Sequence, residues 1–238
     1  MNSANDWIIE PTNLGEVLAC AGLAHMAWLM NRQAMSGFTL RDGCCHFVVM
    51  PNDLDVLYRL RSMPTGDVVQ TGYGLQLAGI DLDWWQPWGA SPDMKTWAGR
   101  QDETTVHKNL LTATVKIAPA DWLIGTAPTT GKLNIDHMGI WNSISLGWSI
   151  DEHAKHKMLC RPWLELLASI GLQTFPMKRS KEVSSFKYHL WCPTPLSAAI
   201  ATFSGLGPSV YGMLSFKAKT DKNGSNKVLK QAVLIKSV

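Results

Sequence analysis

The feature that most constrains this chain is an octapeptide it spells twice. Glu16-Val17-Leu18-Ala19-Cys20-Ala21-Gly22-Leu23 returns as Glu165-Leu166-Leu167-Ala168-Ser169-Ile170-Gly171-Leu172, with five of eight positions identical and the others exchanged for residues of related size. Each copy sets small residues on an apolar helical run, which lets one backbone pack close to a neighbour. Each ends in Gly-Leu, a helix-stop signal, although the apolar pattern after Gly22 carries the first helix further. Leu, Ala and Gly are common and the window is short, so chance recurrence is the competing reading. The repeat predicts two equivalent helices, each lying against its own sheet.

With 238 residues the chain can bury a substantial core, as one continuous domain or as two halves, 1–135 and 136–238. No apolar run reaches the roughly 18 residues a membrane span needs. Asp6 and Glu10 stand where a secretion signal would be basic. Five cysteines (Cys20, Cys44, Cys45, Cys160, Cys192) lack framework spacing, which predicts free thiols in a reducing cytoplasm. The net charge of +3 hides an asymmetry. Residues 1–150 carry 9 Lys/Arg against 14 Asp/Glu, and residues 151–238 carry 13 against 5. A basic C-terminal part suits a polyanionic partner, whereas an acidic N-terminal part suits a protein neighbour. Eleven tryptophans exceed what the core needs, so part of that aromatic surface is expected to meet another subunit or stack on bases.

The order of elements follows from local signals. Trp7-Ile8-Ile9 predicts a first strand, and Asn13 with Glu16 a capping pair for a helix over about 14–31. That helix is apolar nearly all round, hence buried, with His25 a satisfied core residue. Cys45 to Met50 reads as a buried strand, and Asp53 to Met63 as a short helix with Leu54, Leu57 and Leu60 on one stripe. Leu75 to Trp85 reads as a strand running into a Trp- and Pro-rich loop. Asp102 to Lys116 predicts a helix with Val106, Leu110, Leu111 and Val115 inward, and 117–131 a turn or connection. Further on, the pattern predicts a strand over Gly139–Leu146, a helix from Pro162 to Gly171 and a strand through Phe186, Tyr188 and Leu190. A short helix from Pro195 to Phe203 follows, then a hairpin of Val210–Lys219 and Lys227–Lys236 joined at Asp221-Lys222-Asn223-Gly224.

Catalytic chemistry finds little purchase. Asp81 and Asp83 offer two carboxylates to a metal, but no third ligand stands at useful spacing. His153, His156 and Cys160 fall at zinc-ligand spacing on a helix, yet Pro162 starts the helix after them. His107, His137 and His189 can each act as a general base, and nothing in the sequence gives them a partner. The chain is therefore read as non-catalytic, with no metal and no cofactor. The basic clusters are better grounded. Lys178, Arg179 and Lys181 lie in a loop flanked by aromatics, and Lys217, Lys219, Lys222 and Lys227 lie on or beside the C-terminal hairpin. Lys217 and Lys219 share one face of a strand, a reasonable cradle for a phosphodiester backbone. Lysines that protect an exposed edge from aggregation explain the same pattern. Both readings stay open.

Several segments resemble one family in the right order along the chain. Leu14 to Leu23, Leu82-Asp83-Trp84-Trp85 and Lys95 to Gln101 are similar to signatures of small CRISPR-associated proteins of subtype I-G (formerly I-U) systems. Glu165 to Phe175, Tyr188-x-x-Trp191 and Pro195-Leu196 resemble that family's later segments. Leu14 stands where the family favours Pro, and Ala21 where it often has a second Cys. The resemblance implies a RAMP-group subunit: an α+β chain of ferredoxin-like (RRM-like) sheets backed by helices, in two related halves. It implies an antiviral defence role in a Cascade-type ribonucleoprotein complex, contacting guide RNA, target DNA and other effector subunits. Gly205 and Gly207 then resemble part of a RAMP glycine-rich loop, and Trp84, Trp85, Trp88 and Trp97 are expected to touch neighbouring subunits. Two rivals are a metal-free endoribonuclease that processes guide precursor RNA with a histidine base, and a purely structural adaptor.

Overall fold

The first helix starts where its cap says it should. Asn13 accepts from the Gly15 amide through its side chain (3.0 Å), and α1 runs over Leu14–Met30. Glu16 turns back to accept from the Glu10 amide (2.6 Å) and from the Asn13 side chain (3.2 Å), which fixes the chain's entry into the helix. In a computed structural model of the chain, the described residues are 5–62, 68–96, 102–129, 133–138, 158–177, 185–206, 211–223 and 226–237. The expected strand over Gly139–Leu146 lies outside them.

Around α1 the first sheet is built from β1 (Asp6–Ile9), β2 (Met35–Arg41) and β3 (Cys44–Met50). β3 sits between the other two and is antiparallel to both, with Phe47 opposite Trp7 and Phe38. The path β1–α1–β2 with β3 inserted is a split β-α-β unit. Asp42 and Gly43, both at positive φ, make the β2–β3 turn. A helix over Asp53–Met63 does not form at that length; only α2, Tyr58–Arg61, is helical. The Leu75–Trp85 segment is a hairpin rather than one strand, because Ala78 and Gly79 both take positive φ. Its strands are β5 (Gly74–Leu77) and β6 (Ile80–Leu82), with β4 (Val69–Thr71) on the far side of β5.

α3 spans Glu103–Thr114, capped by the Asp102 carboxylate on the Thr104 and Thr105 amides. Val106, Leu110 and Leu111 face inward as expected; Val115 lies just beyond the helix and is 73% exposed. Short strands β7 (Ala127–Thr129) and β8 (Met158–Cys160) pair with each other ahead of α4, Pro162–Thr174. β9 (Ser185–Trp191) leads to β10 (Thr194–Pro195), which adds to the β2 edge, and to α5 (Leu196–Phe203). β11 (Gly212–Asn223) then pairs with β9 on one side and with β12 (Asn226–Leu229) and β13 (Val233–Ser237) on the other. The second hairpin arm is thus two strands, broken at residues 230–232.

The doubled octapeptide does something more specific than line two sheets. α1 and α4 pack directly on each other through their glycines. A Cβ placed on Gly22 would overlap the Leu167 carbonyl, and one on Gly171 would overlap the Leu18 carbonyl. Leu18 precedes Gly22 by one turn and Leu167 precedes Gly171 by one turn, so the contact is reciprocal and the two copies play equivalent parts. Neither glycine ends its helix; α4 runs on to Thr174. The missing Cβ serves backbone-to-backbone approach, not a left-handed cap. The two glutamates that open the copies are both buried and both bind the chain that leads towards a helix. Glu165 accepts from the Leu133, Ile135 and Asp136 amides at 2.7–3.1 Å, as Glu16 does from Glu10.

One hydrophobic core draws on both sequence halves: Val17, Leu18 and Phe47 from the first, Leu166, Phe186 and Phe216 from the second. Trp191 stands at their junction, edge-on to Phe38 (4.8 Å between centroids), stacked on Phe175 (5.0 Å) and donating to the Ser36 carbonyl (3.0 Å). Together the elements make a mixed α/β fold with small antiparallel sheets. No described helix is long and apolar enough to cross a membrane.

Candidate nucleic-acid interface

β9 alternates over Phe186–Leu190 and β11 over Phe216–Lys219, and the alternation sorts their chemistry. Phe186, Tyr188 and Leu190 on β9, with Phe216 and Ala218 on β11, are buried beneath the sheet, Tyr188 stacked on Phe216 at 5.4 Å. The intervening residues share the opposite face. Lys217 lies directly across from Lys187, Lys219 across from Ser185, and Ser215 across from His189. Lys187 and Lys219 are exposed and Lys217 is half-buried.

At the end of this row the Ser215 hydroxyl meets His189 Nδ1 at 2.7 Å. Burial, helped by the charge of Lys187, holds the His189 imidazole below its ordinary pKa, so it is neutral at pH 7. Gly205, at φ +75°, passes over the same ring: a Cβ there would sit 2.9 Å from His189 Nε2. Gly205 therefore belongs to the lysine-bearing face by contact with His189. A face of two to three cations beside a neutral imidazole can hold phosphate oxygens by charge, while the Gly205 amide is itself bonded to the Thr202 carbonyl (2.9 Å).

The other basic residues divide. Lys227 is half-buried and turned inward, its amide bonded to the Thr96 carbonyl (2.9 Å) and its Nζ 3.4 Å from the Asp93 carbonyl. The side chain thus reaches from β12 to the 93–96 segment. Lys222 pairs with Lys227 in the β11–β12 ladder. Lys230 is joined to Asp221 at 2.6 Å. Lys178, Arg179, Lys181 and Gly207 lie outside the described residues.

The expectation for the tryptophans is corrected. Trp84 and Trp85 are 0% and 4% exposed, so neither is available to a neighbouring subunit. The rings meet edge-to-face at 5.4 Å, and Trp84 Nε1 donates to Ser169 Oγ (3.1 Å), which satisfies its polar atom inside the core. Ser169 also meets Nε2 of His107 at 2.9 Å, while His107 Nδ1 donates to the Glu103 carbonyl (2.8 Å). Burial pushes the His107 pKa down to about 4, and the ring has no path to solvent. Among the described residues Trp88 alone of the expected contacts is exposed, at 62%, edge-on to the exposed Tyr73 at 5.3 Å. Trp97 lies outside the described residues. Sequence reasoning missed Tyr73 as a partner for Trp88; the Gly72-Tyr73-Gly74 turn was the available signal.

The remaining candidates have ordinary occupations. Asp81 accepts from Gln76 (3.1 Å), and Asp83 exchanges two bonds with the Gln173 side chain (2.9 and 3.0 Å). His25 meets Thr174 Oγ1 of α4 at 2.9 Å, and burial with the nearby Arg32 and Arg59 charges pushes its pKa down to about 4. All five cysteines are free thiols. Cys160 is buried, and His153 and His156 lie outside the described residues. Comparison of the chain with protein-family models, with curated proteins and with solved structures finds no match.

Proposed function

We propose that this chain is a non-catalytic subunit of an RNA-guided CRISPR surveillance complex of the Cascade type, acting in the cytoplasm in antiviral defence. Its RAMP-like part is the split β-α-β unit of β1, α1, β2 and β3, whose strand order β1-β3-β2 is that of a ferredoxin-like half. The α4–β9–β11 unit makes the related second half. The observation that carries the reading is the row Lys187, Lys217 and Lys219 on one sheet face, closed at one end by His189 and Gly205. That row offers guide RNA or target DNA a sequence-independent backbone contact, and the resemblance to subtype I-G proteins supplies the assembly. Trp88 with Tyr73 gives a neighbouring subunit an exposed aromatic pair.

The test is a salt titration of binding to labelled single-stranded RNA and DNA. Two to three phosphate contacts give a log–log slope of about −2 on single strands, and Lys217→Glu with Lys219→Glu removes most of it while the melting temperature holds. A salt-independent affinity, or a double variant that binds as wild type, refutes the proposal and favours the structural adaptor. A second reading, the metal-free endoribonuclease, is favoured by one contact: His189 is neutral, hydrogen-bonded to Ser215 and set among the lysines. Cleavage of a labelled repeat RNA, abolished by His189→Ala, decides for it.

A further inference from the structure

A second site stands apart from the lysine row, at the junction of the α1 and α4 N-termini. An open cavity of ≈ 690 Å³ is bounded there by Glu10, Glu16, Asp136 and His137, with Arg161 in its wall. Arg161 is spent. Its Nε and Nη2 clasp the two oxygens of Asp136 (2.7 and 2.5 Å), and its Nη1 is shared between Glu16 (2.8 Å) and the Leu123 carbonyl (3.1 Å). With its N–H groups so engaged, the guanidinium has little left to offer an anion. Among the described residues three carboxylates therefore face one neutralised cation, and that lining is negative.

The acceptors, by contrast, are not used up. An ionised carboxylate oxygen takes two bonds. Among the described residues Glu16 Oε2 accepts only the Glu10 amide and Asp136 Oδ2 only Arg161 Nε, and Glu10 directs Oε1 at Thr12 while its Oε2 accepts nothing. Independently, His137 is 4% exposed, lines the cavity, and its Nδ1 has no hydrogen-bond partner among the described residues. A buried ring nitrogen with no partner among the described residues, in the wall of a negative cavity, is an unsatisfied polar atom. The rim is apolar: Ile124, Met138 and Leu159 are 70%, 55% and 53% exposed.

We infer that this cavity is a docking socket for an arginine side chain presented by a protein partner. The planar guanidinium brings five donors to acceptors spread over separate walls, which an ammonium cannot span, and its methylene stem lies along Met138 and Leu159. Charged heads held this way, with the stem desolvated by an apolar rim, are the usual anchors of protein interfaces. The partner's other contacts are outside the socket, so one arginine supplies recognition rather than the whole affinity.

The experiment uses N-acetyl-arginine amide as probe and N-acetyl-citrulline amide as its neutral isostere, each titrated into the full-length chain with binding read by NMR shift perturbation. The arginine probe is expected to saturate and to bind about tenfold tighter than citrulline, the worth of one charge-assisted contact set. Glu10→Gln, an exposed position that leaves the Arg161 cluster intact, is expected to weaken the arginine probe about threefold and citrulline hardly at all. Equal binding of the two probes, absence of saturation, or an arginine affinity indifferent to Glu10→Gln overturns the inference. None of these outcomes touches the nucleic-acid reading, which stands or falls on its own salt titration.

Discussion

Replacing Gly22 by alanine sets two known effects against each other, and the structure says which wins. In a helix interior Gly→Ala stabilises by about 1 kcal/mol, so at an exposed site the variant would melt higher. At Gly22 the new methyl meets the Leu167 carbonyl group, with the carbonyl carbon only 2.9 Å away and the Gly171 amide nitrogen 3.3 Å away. The obstacle is backbone on a helix, which no rotamer change can move aside. The two helices must part, at an overpacking cost of about 3 kcal/mol, the upper end for an inserted methyl. The net expectation is destabilisation by about 2 kcal/mol, or roughly 4–8 °C in a chain of this size. Gly171→Ala should cost the same, because its methyl meets Leu18 in the mirrored position. The double variant should cost distinctly less than the sum, since one separation of the helices makes room for both methyls. Urea midpoints and thermal melts of the four proteins measure this. A raised melting temperature in either single variant, or strict additivity in the double, refutes the reciprocal contact.

Two further outcomes follow from buried groups. His107 has a folded pKa of about 4 against an ordinary 6.5, so the unfolded chain takes up its proton first and stability is lost as pH falls from about 6.5 towards 4, by up to about 3 kcal/mol. Urea midpoints at pH 7 and pH 5 should differ by most of that amount plus a share from His25, whose pKa is also about 4, and His107→Gln should remove the His107 share alone; an unchanged pH slope in the variant would count against a buried neutral imidazole. Trp84→Ala should cost about 4 kcal/mol through its cavity and its lost bond to Ser169, whereas Trp88→Ala should stay within about 0.5 kcal/mol, both read from denaturant unfolding.

What the sequence made legible was local. α1, α3, α4 and α5 are announced by capping or proline signals and by apolar periodicity, and the alternation of Phe186, Tyr188 and Leu190 announces β9. Strand β2 was missed because Met35-Ser36-Gly37-Phe38 carries small residues where a strand pattern wants bulk, although Asp42-Gly43 was a hairpin signal in plain view. Ala78 hid a turn because alanine seldom takes positive φ. The Trp84-Trp85 pair misled for a different reason. Its burial depends on Ser169 and His107, far away in the chain, to satisfy the indole nitrogen of Trp84. The Arg161 cluster was equally invisible, since Glu16, Asp136 and Arg161 meet only after α1 and α4 have packed. The octapeptide advertised equivalence, but not that the two copies would be each other's partner.

The proposal that this chain serves an RNA-guided complex is tested most directly by what stays bound to the full-length protein when it is purified from cells at low salt. Extraction of that material should yield RNA of one narrow length class, depleted in the Lys217→Glu, Lys219→Glu variant. Protein free of nucleic acid, or carrying fragments of every length that the double variant retains equally, would contradict it.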